Sequence, residues 1–148
     1  MNDIELADLY QELIVDHNRR PRNFRRLGKA THKAEGFNPL CGDKVKVYVD
    51  VENDIVRDIS FEGEGCAISK ASASLMTESV KGKSRVEVEQ LCSRFRDLAT
   101  GTGNGTGLGK LAVFGGLRAF PARVKCATLV WHTLRAALEH ASGVVRTE

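Results

Sequence analysis

Four valines, at positions 45, 47, 49 and 51, alternate with Lys44, Lys46, Tyr48 and Asp50. Period two places the valines on one face of a strand and the polar residues on the other, so a second layer must cover the valine face. Glu52-Asn53-Asp54 reads as a turn, and Ile55, Ile59 and Phe61 continue on a second strand, which together predict an antiparallel hairpin. Ala30 to Phe37 is expected to supply a third strand at the edge. Helical spacing dominates elsewhere. Leu6, Leu9, Tyr10, Leu13 and Ile14 predict a first helix, with Asp3 as its N-cap and Pro21 as its stop. A helix is expected from about Cys66 until Gly82. Ser84-Arg85-Val86-Glu87 is a capping box that opens another, with Val88, Leu91, Cys92, Phe95 and Leu98 on one face. Pro121 precedes a last helix whose stripe holds Cys126, Leu129, Val130, Thr133, Leu134, Ala137, Leu138 and Ala141. Gly101 to Gly109, glycine at every second position, is expected to be a mobile loop. Strands first and helices afterwards predict an α+β fold, a small three-stranded antiparallel sheet covered by helices, as one domain over residues 1–148.

The 148 residues are 42% hydrophobic, enough to bury a core and too apolar for disorder. The longest stretch without Asp, Glu, Lys or Arg is Leu98 to Gly109, 12 residues, whereas a membrane helix needs about 20. The first residues are acidic where an export signal would be basic, so a soluble, cytoplasmic protein without a membrane partner is expected. A net charge of +3 does not demand nucleic acid as a partner. No exposed coiled-coil seam is present, so a monomer is expected. Arg19, Arg20, Arg22, Arg25 and Arg26 crowd one connector, which reads as a solvated loop able to meet an acidic protein. Gly82-Lys83-Ser84 resembles the end of a phosphate-binding loop, but Thr77 stands where that motif needs glycine. The 101–109 run never spells a dinucleotide fingerprint and follows a helix rather than a strand. His17, His32, His132 and His140 show no ligand spacing. The last two are expected on one helix, in surface or core roles.

The four cysteines carry the remaining chemistry, and in a cytosolic chain they read as ligands, reactive thiols or core residues. Cys92 lies on an apolar stripe between Leu91 and Phe95 and reads as a small buried hydrophobe. Cys41 sits in the loop Asn38-Pro39-Leu40-Cys41-Gly42-Asp43, Cys66 where a strand gives way to a helix, and Cys126 in the first turns of the last helix. Helix starts favour a thiolate, which is both metal ligand and nucleophile. Asp43 can present an oxygen beside Cys41 if Gly42 lets the loop turn tightly. Three thiolates and a carboxylate would complete a tetrahedral zinc shell. No C-x-x-C pair is present, so spacing alone leaves open both a metal site and three unrelated cysteines.

Four blocks then resemble the NifU/IscU superfamily of iron–sulfur cluster assembly proteins, and within it the SufU-type branch. They are Asp16-His17 with Pro21-Arg22-Asn23-Phe24, the Asn38–Asp43 loop, Phe61 to Ser74, and Pro121 to Leu129. The resemblance implies that Cys41, Asp43, Cys66 and Cys126 are the family's metal-binding residues. Lys125 stands where the IscU branch usually has a histidine. Phe120-Pro121-Ala122-Arg123-Val124-Lys125 departs from the IscU chaperone motif, and the interval from Cys66 to Cys126 is longer. All three departures point to the SufU branch.

That branch implies a zinc-dependent sulfur acceptor for a SufS-type cysteine desulfurase. Cys41 would be the exchanging ligand and carry the persulfide, while Asp43, Cys66 and Cys126 keep the metal. Arg123 and Lys125 would either stabilise the persulfide or serve only the surface. The alternative is a scaffold holding a transient 2Fe–2S cluster on the same residues for other SUF components or apo iron–sulfur proteins. A closed structural zinc ranks last, because Asp is unusual in such shells.

Overall fold

The computed structural model describes residues 3–140 and 143–146. Helix α1 (Asp3–Arg19) leads through a connector into strands β1 (His32–Asn38), β2 (Asp43–Glu52) and β3 (Ile55–Glu64). Helices α2 (Ala67–Val80), α3 (Arg85–Thr100) and α4 (Pro121–Leu138) follow, with a 3-10 segment, Gly109–Ala119, between the last two. Strand β4 (Val144–Arg146) closes the order. No helix among the described residues is long and apolar enough to cross a membrane.

The sheet runs β3-β2-β1-β4. Its α+β class is the one expected, but it has four strands rather than three, and β1 is an interior strand rather than an edge. β4 joins β1 in parallel, which requires a long crossover, and α2, α3 and α4 provide it. Between β2 and β3, Asn53 and Asp54 take φ of 53° and 62°, the left-handed pair of a tight hairpin turn. Val45, Val47 and Val49 are buried together with Ile59 and Phe61. Each such side chain contributes about 1.5–3 kcal/mol on full burial, which explains why the alternation fixes the register. Helix α4 lies across β1 and β2, and α2 packs on β3. At Gly36 a side chain would collide with Thr133 and Leu129 of α4, so glycine there sets how closely helix and sheet approach.

Helix α2 is made of small residues because it is wedged between α1 and α4. Ser72 Oγ donates to Ala127 O (2.6 Å) and accepts from Trp131 Nε1 (3.2 Å), while Ser74 Oγ meets His17 Nδ1 (2.7 Å). The Arg-rich connector is more structural than expected. Arg22 N–H donates to Ser74 Oγ, Asn23 Nδ2 donates to Thr77 Oγ1, Arg22 pairs with Asp16, and Arg25 pairs with Asp58. The capping box at Ser84 and Glu87 is present in both directions. The 101–109 loop is irregular, with Thr102 and Gly103 N–H bonded to Asp97 O. Asp3 is the first helical residue of α1, not its cap. Helix α4 stops at Leu138, so His140 falls beyond it, stacked on His32 at 4.0 Å between ring centroids. Ala141 and the side chain of Leu6 lie outside the described residues.

Candidate metal centre

The β1–β2 hairpin ends on the pair Asn38 and Asp43, which face each other across the last rung. The four residues between them, Pro39 to Gly42, form the loop that carries Cys41. Gly42 has φ of 70°, the tight turn that the Cys41–Asp43 pairing requires. Cys41 is exposed, next to an exposed Leu40, whereas Asp43 begins β2 and is fully buried. Cys66 is the N-cap of α2, its Sγ accepting from Ser69 N–H at 3.4 Å. Cys126 is buried in the second turn of α4.

Ligand atoms of Cys41, Asp43 and Cys126 lie within 4.8 Å of one another. The Sγ atoms of Cys126 and Cys41 are 3.1 Å apart and both thiols are free. Cys66 sits at the side of this group, its Sγ 4.0 Å from Asp43 Oδ2 and close enough to Cys126 for the thiols to perturb each other. Asp43 Oδ1 accepts from Cys66 N–H at 2.8 Å, and Oδ2 accepts from Asn38 Nδ2 at 3.3 Å. Cys92 is buried on α3 in the hydrophobic core, where burial pushes its thiol up to about 12.

Contrary to expectation, the helix starts do not favour a thiolate at Cys66 or Cys126. Cys126 lies too deep in α4 to meet its free N–H groups. Burial raises its thiol well above the ordinary value, and the contact with Cys41, Cys66 and the Asp43 carboxylate add to this. Cys66 does cap α2, but burial and the nearby Asp43 outweigh the Ser69 N–H and raise its pKa too. The surroundings that the chain itself supplies therefore do not favour the thiolate at either position. The partners described for the buried Asp43 carboxylate are N–H groups and a thiol. Two sulfurs and a carboxylate oxygen within 4.8 Å of one another, with a third sulfur 4.0 Å from that carboxylate, suit a divalent, thiophilic cation, which would offset the carboxylate's burial and displace the thiol protons.

Two residues at the site escaped sequence reasoning. Asn38 was read only as part of the loop that carries Cys41, yet it is fully buried and its amide reaches both Asp43 and Cys126. Tyr10 looked like one more apolar position of α1. Its hydroxyl is buried with no hydrogen-bond partner among the described residues. Burial raises its pKa, Arg123 opposes this, and Cys66 and Cys126 add to it, which puts the phenol within electrostatic reach of the site. The Arg123 guanidinium rests over the Phe120 ring, 4.8 Å from its centroid.

An α+β layer with a cysteine–aspartate cluster between a hairpin loop and two helices is the form of an iron–sulfur assembly domain. The profile of the NifU-like N terminal domain matches residues 9–139, and the chain belongs to this family. It is 39% identical over 140 residues to the zinc-dependent sulfurtransferase SufU of Bacillus subtilis, covering 93% of this chain and 95% of that one. It is 36% identical over 141 residues to the iron–sulfur cluster assembly scaffold protein IscU of Streptococcus pyogenes, covering 94% and 88%. A crystal structure described as a SUF-system assembly scaffold protein from Fervidobacterium islandicum superposes with a TM-score of 0.83 at 34% identity, covering 88% and 97%.

Proposed function

We propose that this chain is a zinc-dependent sulfur acceptor in iron–sulfur cluster assembly, acting in the cytoplasm as one NifU-like domain. It would take persulfide sulfur from a SufS-type cysteine desulfurase. Cys41, Asp43, Cys66 and Cys126 would hold the zinc. The observation that carries the reading is the contrast within the cluster: Cys41 is exposed while Asp43 and Cys126 are buried beside it. The zinc-dependent relative supports the choice of metal. When bound, zinc would keep neighbouring thiols deprotonated at neutral pH without redox chemistry of its own.

The chain's own residues then divide the work. Asp43, Cys66 and Cys126 stay anchored by the sheet end and the two helices. Cys41, on a loop that turns at Gly42, swings outward to the partner. Its thiolate attacks the outer sulfur of the desulfurase persulfide. A new S–S bond forms at Cys41, the old S–S bond breaks, and the desulfurase cysteine leaves as a thiolate. The exposed Leu40 beside Cys41 offers an apolar contact to that partner. The test is incubation with a cysteine desulfurase and free cysteine, followed by mass mapping. One extra sulfur atom on Cys41, and loss of stimulation in Cys41→Ser, is the expected result. Sulfur that accumulates elsewhere, or stimulation unaffected in Cys41→Ser, contradicts it.

A second reading has a specific basis, the scaffold named among the relatives. Here the cargo would be a nascent 2Fe–2S cluster held by the three cysteines, with Asp43 as the weak fourth ligand, for transfer to apo iron–sulfur proteins. Aerobically purified protein that is colourless with one zinc per chain favours sulfur transfer. Brown protein with iron and sulfide favours the scaffold.

A further inference from the structure

We propose that Asn38 sorts the donors of this site, fixing Asp43 and Cys126 as the resident pair and leaving Cys41 as the thiol free to depart. The inference deepens the zinc reading above and rests on it. Asn38 is fully buried, where a side-chain amide is costly unless its donors and acceptor are used. Nδ2 donates to Asp43 Oδ2 at 3.3 Å and to Cys126 Sγ at 3.6 Å, and Oδ1 accepts from Leu40 N–H at 3.3 Å. Two N–H bonds thus go to two anion-forming atoms, one on the sheet and one on α4.

Sheet register holds the amide in place, since Asn38 and Asp43 are cross-strand partners. Cys66 N–H occupies the other oxygen of Asp43, and Ser69 N–H reaches Cys66 Sγ. Asp43, Cys66 and Cys126 therefore each accept an N–H bond, which lowers the charge density of a thiolate and fixes its direction. The one hydrogen bond described at Cys41 is the 3.1 Å contact from the Cys126 thiol, which is not an N–H bond. Asn38 also anchors Leu40, so Cys41 is the first loop residue beyond that anchor. This makes Asn38 a positioning residue, acting through its neighbours.

Asn38→Asp keeps the shape and the acceptor for Leu40 but replaces both N–H donors, and Asn38→Ala removes the group. In both, zinc affinity measured by competition with a chelator is expected to fall about 10–100-fold. A cobalt-substituted sample reads the sulfur directly: loss of the N–H bond to Cys126 should move the sulfur-to-cobalt charge-transfer bands to lower energy. A third measurement needs no variant to fold. In nitrogen-15-labelled wild-type protein, zinc loading should move the Asn38 side-chain amide resonances. Unchanged affinity and band positions in folded variants, or unmoved Asn38 resonances in zinc-loaded wild type, overturn the assignment of Asn38 alone. Wild-type protein that takes up no zinc overturns the underlying reading, and this inference with it.

Discussion

Gly65→Ala is a one-methyl perturbation aimed at Asp43 from outside the donor set. A Cβ at this position would overlap Asp43 Oδ1 and lie 3.1 Å from the Cβ and Cγ of the same residue. Gly65 is not in a left-handed conformation, so the effect is steric. Asp43 is fully buried and cannot simply retreat into solvent. Either the methyl is accommodated by overpacking, at about 1–3 kcal/mol, or the carboxylate turns away. In the second case the bond from Cys66 N–H is lost, at about 1.5–3 kcal/mol for a charged acceptor. These are alternatives rather than addends, so zinc-free protein should lose about 1–3 kcal/mol, or about 2–4 °C of Tm per kcal/mol. Zinc affinity should fall about 10–100-fold, because the carboxylate no longer points at the sulfurs. Gly28→Ala is the control: nothing lies within 4 Å of its Cβ, and it should stay within about 0.5 kcal/mol of wild type. Thermal melts of the zinc-free protein and chelator competition read both effects. A Gly65→Ala protein that melts and binds zinc like wild type would show that Asp43 is not held against Gly65 and that its direction does not matter to the zinc site.

Cys92→Ala should cost about 1 kcal/mol of stability, from a small buried side chain, and leave zinc stoichiometry and sulfur acceptance unchanged; loss of zinc or of desulfurase stimulation in the folded variant would show that Cys92 belongs to the site. Asp43→Ala should weaken zinc binding and abolish sulfur acceptance on the transfer reading, but prolong the lifetime of an assembled cluster on the scaffold reading, so chelator competition and visible absorption after reconstitution give opposite answers. Burial holds His17 below its ordinary pKa of 6.5, and His32 and His132 are lowered in the same way. The unfolded chain therefore takes up these protons first, so their contribution is intact above about pH 6.5 and is lost as pH falls toward the folded values. Urea midpoints of zinc-free protein should drop on acidification from about pH 7.5 to about 5.5, less so in His17→Gln, and a flat profile counts against the assignment.

The hairpin was legible because one face of β2 is buried, so the alternation of its valines survives in the sequence. The capping box at Ser84 and the stripe around Cys92 were legible for the same kind of local reason. What lay beyond reading was set by long-range pairing. β4 is three residues long and carries no periodicity of its own, and its place beside β1 depends on three helices in between. The 3-10 segment did leave a trace: Leu111, Phe114 and Leu117 recur every third residue and are all buried. Cys41, Asp43 and Cys126 were identifiable by residue type and placement, but their approach depends on how α4 crosses the end of the sheet. Asn38 could have been found from one signal, a four-residue hairpin loop that makes it the cross-strand partner of Asp43. Tyr10 was hidden because a phenol on an apolar stripe reads as core, and only the packed structure shows its hydroxyl without a partner among the described residues.

In the proposed site one zinc is held by Cys41, Asp43, Cys66 and Cys126. X-ray absorption at the zinc edge, on purified protein carrying one zinc per chain, tests it most directly. The expected spectrum fits three sulfurs at about 2.3 Å and one lighter atom at about 2.0–2.2 Å, with the sulfur count falling to two in Cys41→Ser, Cys66→Ser and Cys126→Ser and staying at three in Cys92→Ala. A four-sulfur shell, a shell dominated by nitrogen and oxygen, or a spectrum altered in Cys92→Ala would contradict it.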